Sequence, residues 1–343
     1  MSRELGSERM ADFLRKRAET PFSARYLMAG VLCELSTNWR SILEAADESF
    51  LEIDTRQDTP ALRARFWVDS QARDSRPWAN PYCRGLDHLV FVGFDNHNAL
   101  LVNLSERRAI GRFSPALAED RAHWKSIVFP VLLSIIAASF DVVEVHSACV
   151  TRREGGLLLA GDSGSGKSTL AFALTQRGFG FLSDDRTYLS RQDRRLHAWG
   201  LPTHLKLRPD ATELFPQLKS CQLGSTLDGE RAFHIDPDRH FGLRRSLHCE
   251  PRWLVFLQRK SRSEINFEEI PKADATARLK KDLMLEAPEA TESQLRMLDA
   301  VTEGKCWLLR YGGEPLDVAA ALAHFCLSTL EAGSSHNDVH VSS

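Results

Sequence analysis

The sequence predicts an α/β domain over residues 115–331, preceded by an α+β module over 1–114 and followed by a polar, disordered tail over 332–343. Three observations predict it. The apolar run Leu157-Leu158-Leu159-Ala160 passes through a glycine-rich loop into a helix-forming stretch. From residue 142 to 330 the predicted strands and helices follow one another as in a sheet covered by helices. Before residue 115 the strand signals instead cluster at 63–68, 88–94 and 99–104.

Residues 9–20 and 24–47 read as helices, the latter because Ala24 to Leu32 carry apolar residues at three- and four-residue spacing. Asp95-Asn96-His97-Asn98 is a hairpin turn between the strands 88–94 and 99–104. No chemical motif falls in this module. A helix follows over 116–139, then a strand over 142–150. After the glycine-rich loop and its helix, Arg177-Gly178-Phe179-Gly180 supplies a helix stop, and 179–183 is the next strand. Strands follow near 187–190, 203–208, 252–258 and 306–311, with helices near 273–286, 291–302 and 315–330, the last opened by Pro315.

The bulk numbers narrow the classes. With 343 residues, 43% hydrophobic and 26% charged, the chain has enough apolar content for one large core or two smaller ones. A formal net charge of -2 gives no global pull toward nucleic acid or an anionic membrane. Seven scattered cysteines without a C-x-x-C pair indicate reduced thiols and a cytoplasmic location. Met1 to Leu5 are charged and read as no signal peptide. The apolar run 127–140, broken by Pro130, Ser134 and Ser139, is too short to span a bilayer and reads as a buried helix.

The loop itself reads Gly161-Asp162-Ser163-Gly164-Ser165-Gly166-Lys167-Ser168, a complete G-x-x-x-x-G-K-[ST] pattern. Its glycines let successive N–H groups turn toward phosphate oxygens, Lys167 brings a mobile positive charge, and Ser168 offers a hydroxyl to Mg²⁺. The helix beginning at Ser168-Thr169 adds its positive end. Nucleotide contacts are therefore expected from Gly161, Asp162, Ser163, Gly164, Ser165, Gly166, Lys167, Ser168 and Thr169.

Asp184-Asp185 follow Lys167 by one helix and one strand. Adjacent strands of an α/β sheet open onto one crevice at their C-terminal ends, so both carboxylates are expected beside the same phosphates. One would hold Mg²⁺ together with Ser168; the other would accept the proton of an attacking hydroxyl. Both can serve only if the strand ends there, because neighbouring strand residues point to opposite faces. His146, in the strand before the loop, is by itself better explained as a satisfied core or edge residue than by chemistry. Lys206, Arg208, Arg239, Arg244 and Arg245 are the basic residues available to steady transferring charge. His234, His240 and His248 lack metal-ligand spacing, so no zinc site is expected.

His146-Ser147-Ala148-Cys149-Val150, the loop, Arg177-Gly178 and Asp184-Asp185 stand in the order and spacing of the catalytic domain of bacterial HPr kinase/phosphorylase, which this stretch resembles. The resemblance implies a phosphoenolpyruvate-carboxykinase-like nucleotide fold, ATP and Mg²⁺, and transfer of the γ-phosphate to a serine on a protein or peptide. It implies Asp185 as general base, Asp184 as its metal- or base-placing neighbour, His146 beside the reacting phosphate, Lys167 and Arg208 on transferring charge, and a tendency to form homo-oligomers. Neither nucleic acid nor a membrane is an expected partner. The family's downstream signature carries an acid and a glycine where Leu205-Lys206-Leu207-Arg208-Pro209 has Lys206 and Pro209. The sequence is closer to divergent members of the family, some of which phosphorylate a precursor peptide. A small-molecule kinase and a nucleotide-binding regulator without transfer activity stand as alternatives.

Overall fold

The computed structural model describes residues 18–334, apart from 55–57, 73–77, 138, 154, 202–204, 226–230, 236, 261–263, 282 and 284–287. Most of the helix expected over 9–20 and the tail beyond 334 lie outside the described residues.

The chain enters through β1 (Phe22–Met28) and β2 (Val31–Thr37), then α1 (Arg40–Asp47), β3 (Leu51–Glu52) and β4 (Leu62–Val68). The helix expected over 24–47 is thus a correction: only its last third is helical. Ala29 and Gly30 both have positive φ (49° and 84°), which makes the two-residue turn whose twist suits a hairpin. With that turn in place the apolar residues alternate, so Tyr26, Met28, Val31, Cys33 and Leu35 are buried from two paired strands.

β5 (Tyr82–Leu86), β6 (Leu89–Gly93), β7 (Ala99–Asn103) and β8 (Arg108–Phe113) complete an eight-stranded sheet of order β3-β1-β2-β4-β8-β7-β6-β5. The β6–β7 turn closes as expected, with Asp95 accepting from the backbone of His97 and Asn98 at 2.7 and 2.9 Å. Behind the sheet lie α2 (Pro115–Glu119), α3 (Arg121–His123), a π-helical turn over Trp124–Val128 and α4 (Phe129–Ala137). Trp124 anchors this core, its ring 4.7 Å from that of Phe113 and 5.2 Å from that of Phe129. Residues on both sides of Ser114 therefore pack into one apolar cluster.

The second region begins with β9 (Val142–Arg152), β10 (Gly155–Ala160), α5 (Lys167–Thr175), β11 (Gly180–Ser183), β12 (Arg186–Gln192) and β13 (Arg195–Gly200). α5 stops as expected, with the Phe179 N–H donating to Leu174 O and the Gly178 N–H to Thr175 O. A small three-stranded sheet follows, from β14 (Leu205–Leu207), α6 (Ala211–Leu214), a 3₁₀ turn over Pro216–Ser220, β15 (Leu223–Ser225), β16 (Arg231–Ile235) and α7 (Pro237–Phe241). The chain ends with β17 (His248–Arg259), β18 (Ile265–Ile270), α8 (Lys272–Lys280), α9 (Pro288–Val301), β19 (Cys306–Tyr311) and α10 (Pro315–Ser334). α10 runs to Ser334, so the first residues of the expected tail are helical.

Two long strands organise this mixed α/β region. β9 and β17 each pair with different neighbours along their length, and the ladder closes as β10-β9-β12-β13-β17-β10. α5 packs against α10 on one side of it, and the Phe172 ring stands 4.8 Å from Phe215 and 5.5 Å from Phe241. Among the described residues no helix is long and apolar enough to cross a membrane.

Candidate active site

The site forms where β9 changes partners. From Val142 to His146 it pairs with β12; from Ser147 to Arg152 it pairs with β10. Because β9 runs antiparallel to β10, β11 and β12, its middle lies at the end of β10 and at the gap between β11 and β12. The loop after Ala160 and the Asp184-Asp185 bend therefore reach His146-Ser147 from opposite sides. The expectation that the loop strand and the aspartate strand are neighbours is corrected here: β9 lies between them.

β11 does end at Ser183, which is what both carboxylates require. A hydrogen bond of 2.6 Å between the Ser183 and Thr187 hydroxyls closes the bend, and the Thr187 hydroxyl donates to Ser147 O at 2.9 Å. Asp184 turns inward and is 4% exposed. Its Oδ2 accepts from the backbone N–H of Lys206 at 2.8 Å, and Ser168 also hydrogen-bonds to the carboxylate. Its Oδ1 is buried without a hydrogen-bond partner among the described residues. Burial, reinforced by the charge of Asp185 and opposed by those two hydrogen bonds, raises its pKa to about 6.

Asp185 turns outward. His146 Nε2 lies 2.7 Å from its Oδ1. The hydrogen bond from His146 holds the Asp185 pKa below the usual carboxylate range despite partial burial, helped by the charges of His146, Lys167 and Arg186. One carboxylate is thus driven toward its neutral form and the adjacent one toward its charged form, a division by environment that acid–base sites exploit.

The loop Gly161–Gly166 leads directly into α5, whose first residue is Lys167. Lys167 is 7% exposed, and its Nζ donates to Gly161 O at 2.6 Å and Asp162 O at 3.3 Å. The ammonium is thereby held over the loop that the motif assigns to phosphate. Gly166 has φ 94°, and a Cβ there would run into the Tyr311 hydroxyl, which donates to Ser165 O. Asp162, Ser163 and Gly164 are exposed, Ser168 and Thr169 half-buried in the first turn of α5, and Ser165 is buried, its Oγ without a hydrogen-bond partner among the described residues.

These residues fit a divalent cation. Ser168 and Asp184 face each other across the loop mouth, and Asp184 Oδ1 has an unspent lone-pair face. No group of three or more His, Cys, Asp or Glu side chains gathers as a metal cage among the described residues. Mg²⁺ suits such a sparse set, since it keeps several waters and takes one or two protein ligands plus substrate phosphates.

Arg208 lies just past β14 and is exposed, on the outward face it shares with Lys206. Lys206 itself touches the site through its backbone N–H, and its charge lowers the Asp184 pKa. Three contributors escaped the sequence reading. Arg186 Nε lies 3.5 Å from Glu144 Oε1, and Arg186 also donates to the Ser134 hydroxyl of α4 at 3.2 Å. Ser134 in turn donates to Glu144 at 2.8 Å. Strand alternation was the available signal: Glu144 is two residues before His146, and Arg186 directly follows the aspartates.

No protein-family model matches the chain, and no curated protein matches it at a significant level. Among solved structures the chain is similar to the Hpr(Ser) kinase/phosphatase from Coxiella burnetii, at 15% identity and a TM-score of 0.31. That alignment covers 58% of this chain and 99% of the other. A likeness at this level carries no argument about activity, and the reading of the site rests on its residues.

Proposed function

We propose that the protein is an ATP- and Mg²⁺-dependent kinase that transfers the γ-phosphate to a serine hydroxyl of a protein or peptide. The observation that carries this reading is Asp185: an outward, ionised carboxylate, hydrogen-bonded to His146 and within the field of Lys167.

The backbone N–H groups of the glycine-rich loop and the N-terminus of α5 would cradle the phosphates, with the Lys167 ammonium exchanging its carbonyl partners for phosphate oxygens. Mg²⁺ held by Ser168 and Asp184 would neutralise charge on the β- and γ-phosphate oxygens. Its binding would also give Asp184 Oδ1 the partner it lacks. Asp185 would accept the hydroxyl proton as the serine oxygen bonds to the γ-phosphorus and the bond to the bridging oxygen breaks, leaving ADP. A depressed pKa suits this step, because phosphoryl transfer proceeds through a loose transition state with little early demand on the base. His146 would orient the Asp185 carboxylate, and exposed Arg208 would meet substrate charge.

The test is incubation of the full chain with γ-labelled ATP and cell lysate, followed by separation by size and phosphoamino-acid analysis. Label on phosphoserine in a macromolecule supports the reading. Label confined to small solutes assigns a metabolite kinase, and nucleotide binding with no labelled product assigns a regulator.

A further inference from the structure

A cleft of about 800 Å³ opens between the N-terminal sheet and the catalytic region. Its walls come from the β1–β2 turn at Gly30, the β5–β6 turn at Asp87-His88, the α4–β9 connection at Phe140-Asp141, the end of β12 and helix α9. Three arginines from three separate elements converge on it: Arg107, Arg191 and Arg296. All three are exposed. The Arg107 guanidinium stacks 4.6 Å over the Phe140 ring, which fixes it at the wall. Arg191 and Arg296 have no ion-pair partner among the described residues, and their charges are left to solvent. Two acids also line the cleft, and one of them, Asp141, accepts a hydrogen bond from Ser293. The surplus is positive on a chain whose net charge is -2.

The cleft and the candidate site lie on the same two strands. Val142 and Ser190 face each other in register and line the cleft; His146 and Arg186 face each other in register at the site. Side chains alternate along a strand, so Val142, Glu144 and His146 share one face. Four residues at roughly 3.3 Å each separate the two pairs by about 13 Å. The register pair between them is Glu144, partly exposed, and Tyr188, fully buried, and Ser134 of α4 hydrogen-bonds to both. A polypeptide needs at least about four extended residues to cover that distance.

We propose that this cleft docks an acidic segment of the acceptor polypeptide, holding the phosphorylatable serine at least about four residues away at Asp185. The proposal rests on the kinase reading for the identity of the occupant. Guanidiniums suit carboxylates in paired hydrogen bonds, and the aromatic floor gives apolar contact between them.

The test is a fluorescence-anisotropy titration of the full chain, without nucleotide, using a fluorescein-labelled Glu-rich peptide ending in Gly-Ser and its Lys-rich counterpart. The Glu-rich peptide should bind at least about tenfold more tightly, and more weakly as salt rises. Arg191→Glu with Arg296→Glu should cost at least about tenfold in affinity, while Arg191→Lys with Arg296→Lys retains most of it. Reversal at Lys219, exposed in the 3₁₀ turn after α6 and outside the cleft lining, should change nothing. A benzophenone on the peptide should cross-link beside His88 or Phe140. Absent binding, equal binding of both peptides, indifference to the reversals in protein of unchanged melting temperature, cross-links elsewhere, or displacement by single-stranded RNA at lower concentration would each overturn the proposal. Asp185→Asn should leave peptide binding intact. A chain that binds the peptide but transfers no phosphate contradicts the kinase reading alone, and one that transfers phosphate without binding the peptide contradicts the cleft alone.

Discussion

His146 Nε2 stands 2.7 Å from Asp185 Oδ1, although 38 residues separate them in the chain between positions 146 and 185. Register brings them together: β12 begins opposite His146, so the residue just before β12 falls beside that ring. The contact lowers the Asp185 pKa. Replacing His146 with Ala removes both the hydrogen bond and the charge. Asp185 should then titrate at higher pH, and the acid limb of the transfer pH–rate profile should move up. At pH 7 the rate should fall by roughly 10²-fold, within the range of acid–base contributions. An unmoved acid limb would show that the base lies elsewhere.

Asp184 gives the nucleotide-free protein a pH-dependent weakness. Its pKa is about 6 in the folded chain and near the ordinary carboxylate value when unfolded. Between those values the folded state binds the extra proton, so stability falls as pH rises. The loss is complete above pH 6 and amounts to about 3 kcal/mol, on the order of two pK units. Asp184→Asn should flatten this dependence. Urea denaturation at pH 4.5 and pH 7.5 measures it, and the wild-type midpoint should drop more than that of the variant. Mg²⁺ with nucleotide at pH 7.5 should stabilise the wild type more than Asp184→Asn.

Gly166 is held by conformation and by space at once. Its φ of 94° disfavours any side chain, and the Tyr311 hydroxyl occupies the volume a Cβ would need. Gly166→Ala should cost about 2–3 kcal/mol and misplace Lys167. Tyr311→Phe removes only the hydrogen bond to Ser165 O and should cost about 1 kcal/mol. Thermal unfolding and nucleotide titration together check the order. A Gly166→Ala chain that binds ATP normally would contradict the assignment of this loop.

How much of this was legible in the sequence varied with the range of the interaction. The loop, its helix and the Asp184-Asp185 bend are local, and periodicity and glycine placement located them. The β1–β2 hairpin was misread because its turn, Ala29-Gly30, lacks the usual Asn-Gly or Asp-Gly signal. Leu27 and Leu32, half-buried and opposite each other in register, lie on the other face and fill in a helix-like spacing. The partner exchange along β9 depends on which strands pair, and no local pattern encodes it. Strand alternation marks Glu144 and Arg186 as neighbours of the site, but their meeting with Ser134 depends on α4 lying across β9 and β12.

The central claim, that Asp185 is the base for phosphate transfer to a hydroxyl, is tested most directly by one paired measurement on wild type and Asp185→Asn. ATP affinity is read by titration, and transfer to the labelled acceptor is read in single turnover. The account expects affinities within a few-fold of each other and transfer reduced by at least about 10²-fold in the variant. Equal transfer by the two proteins would contradict it.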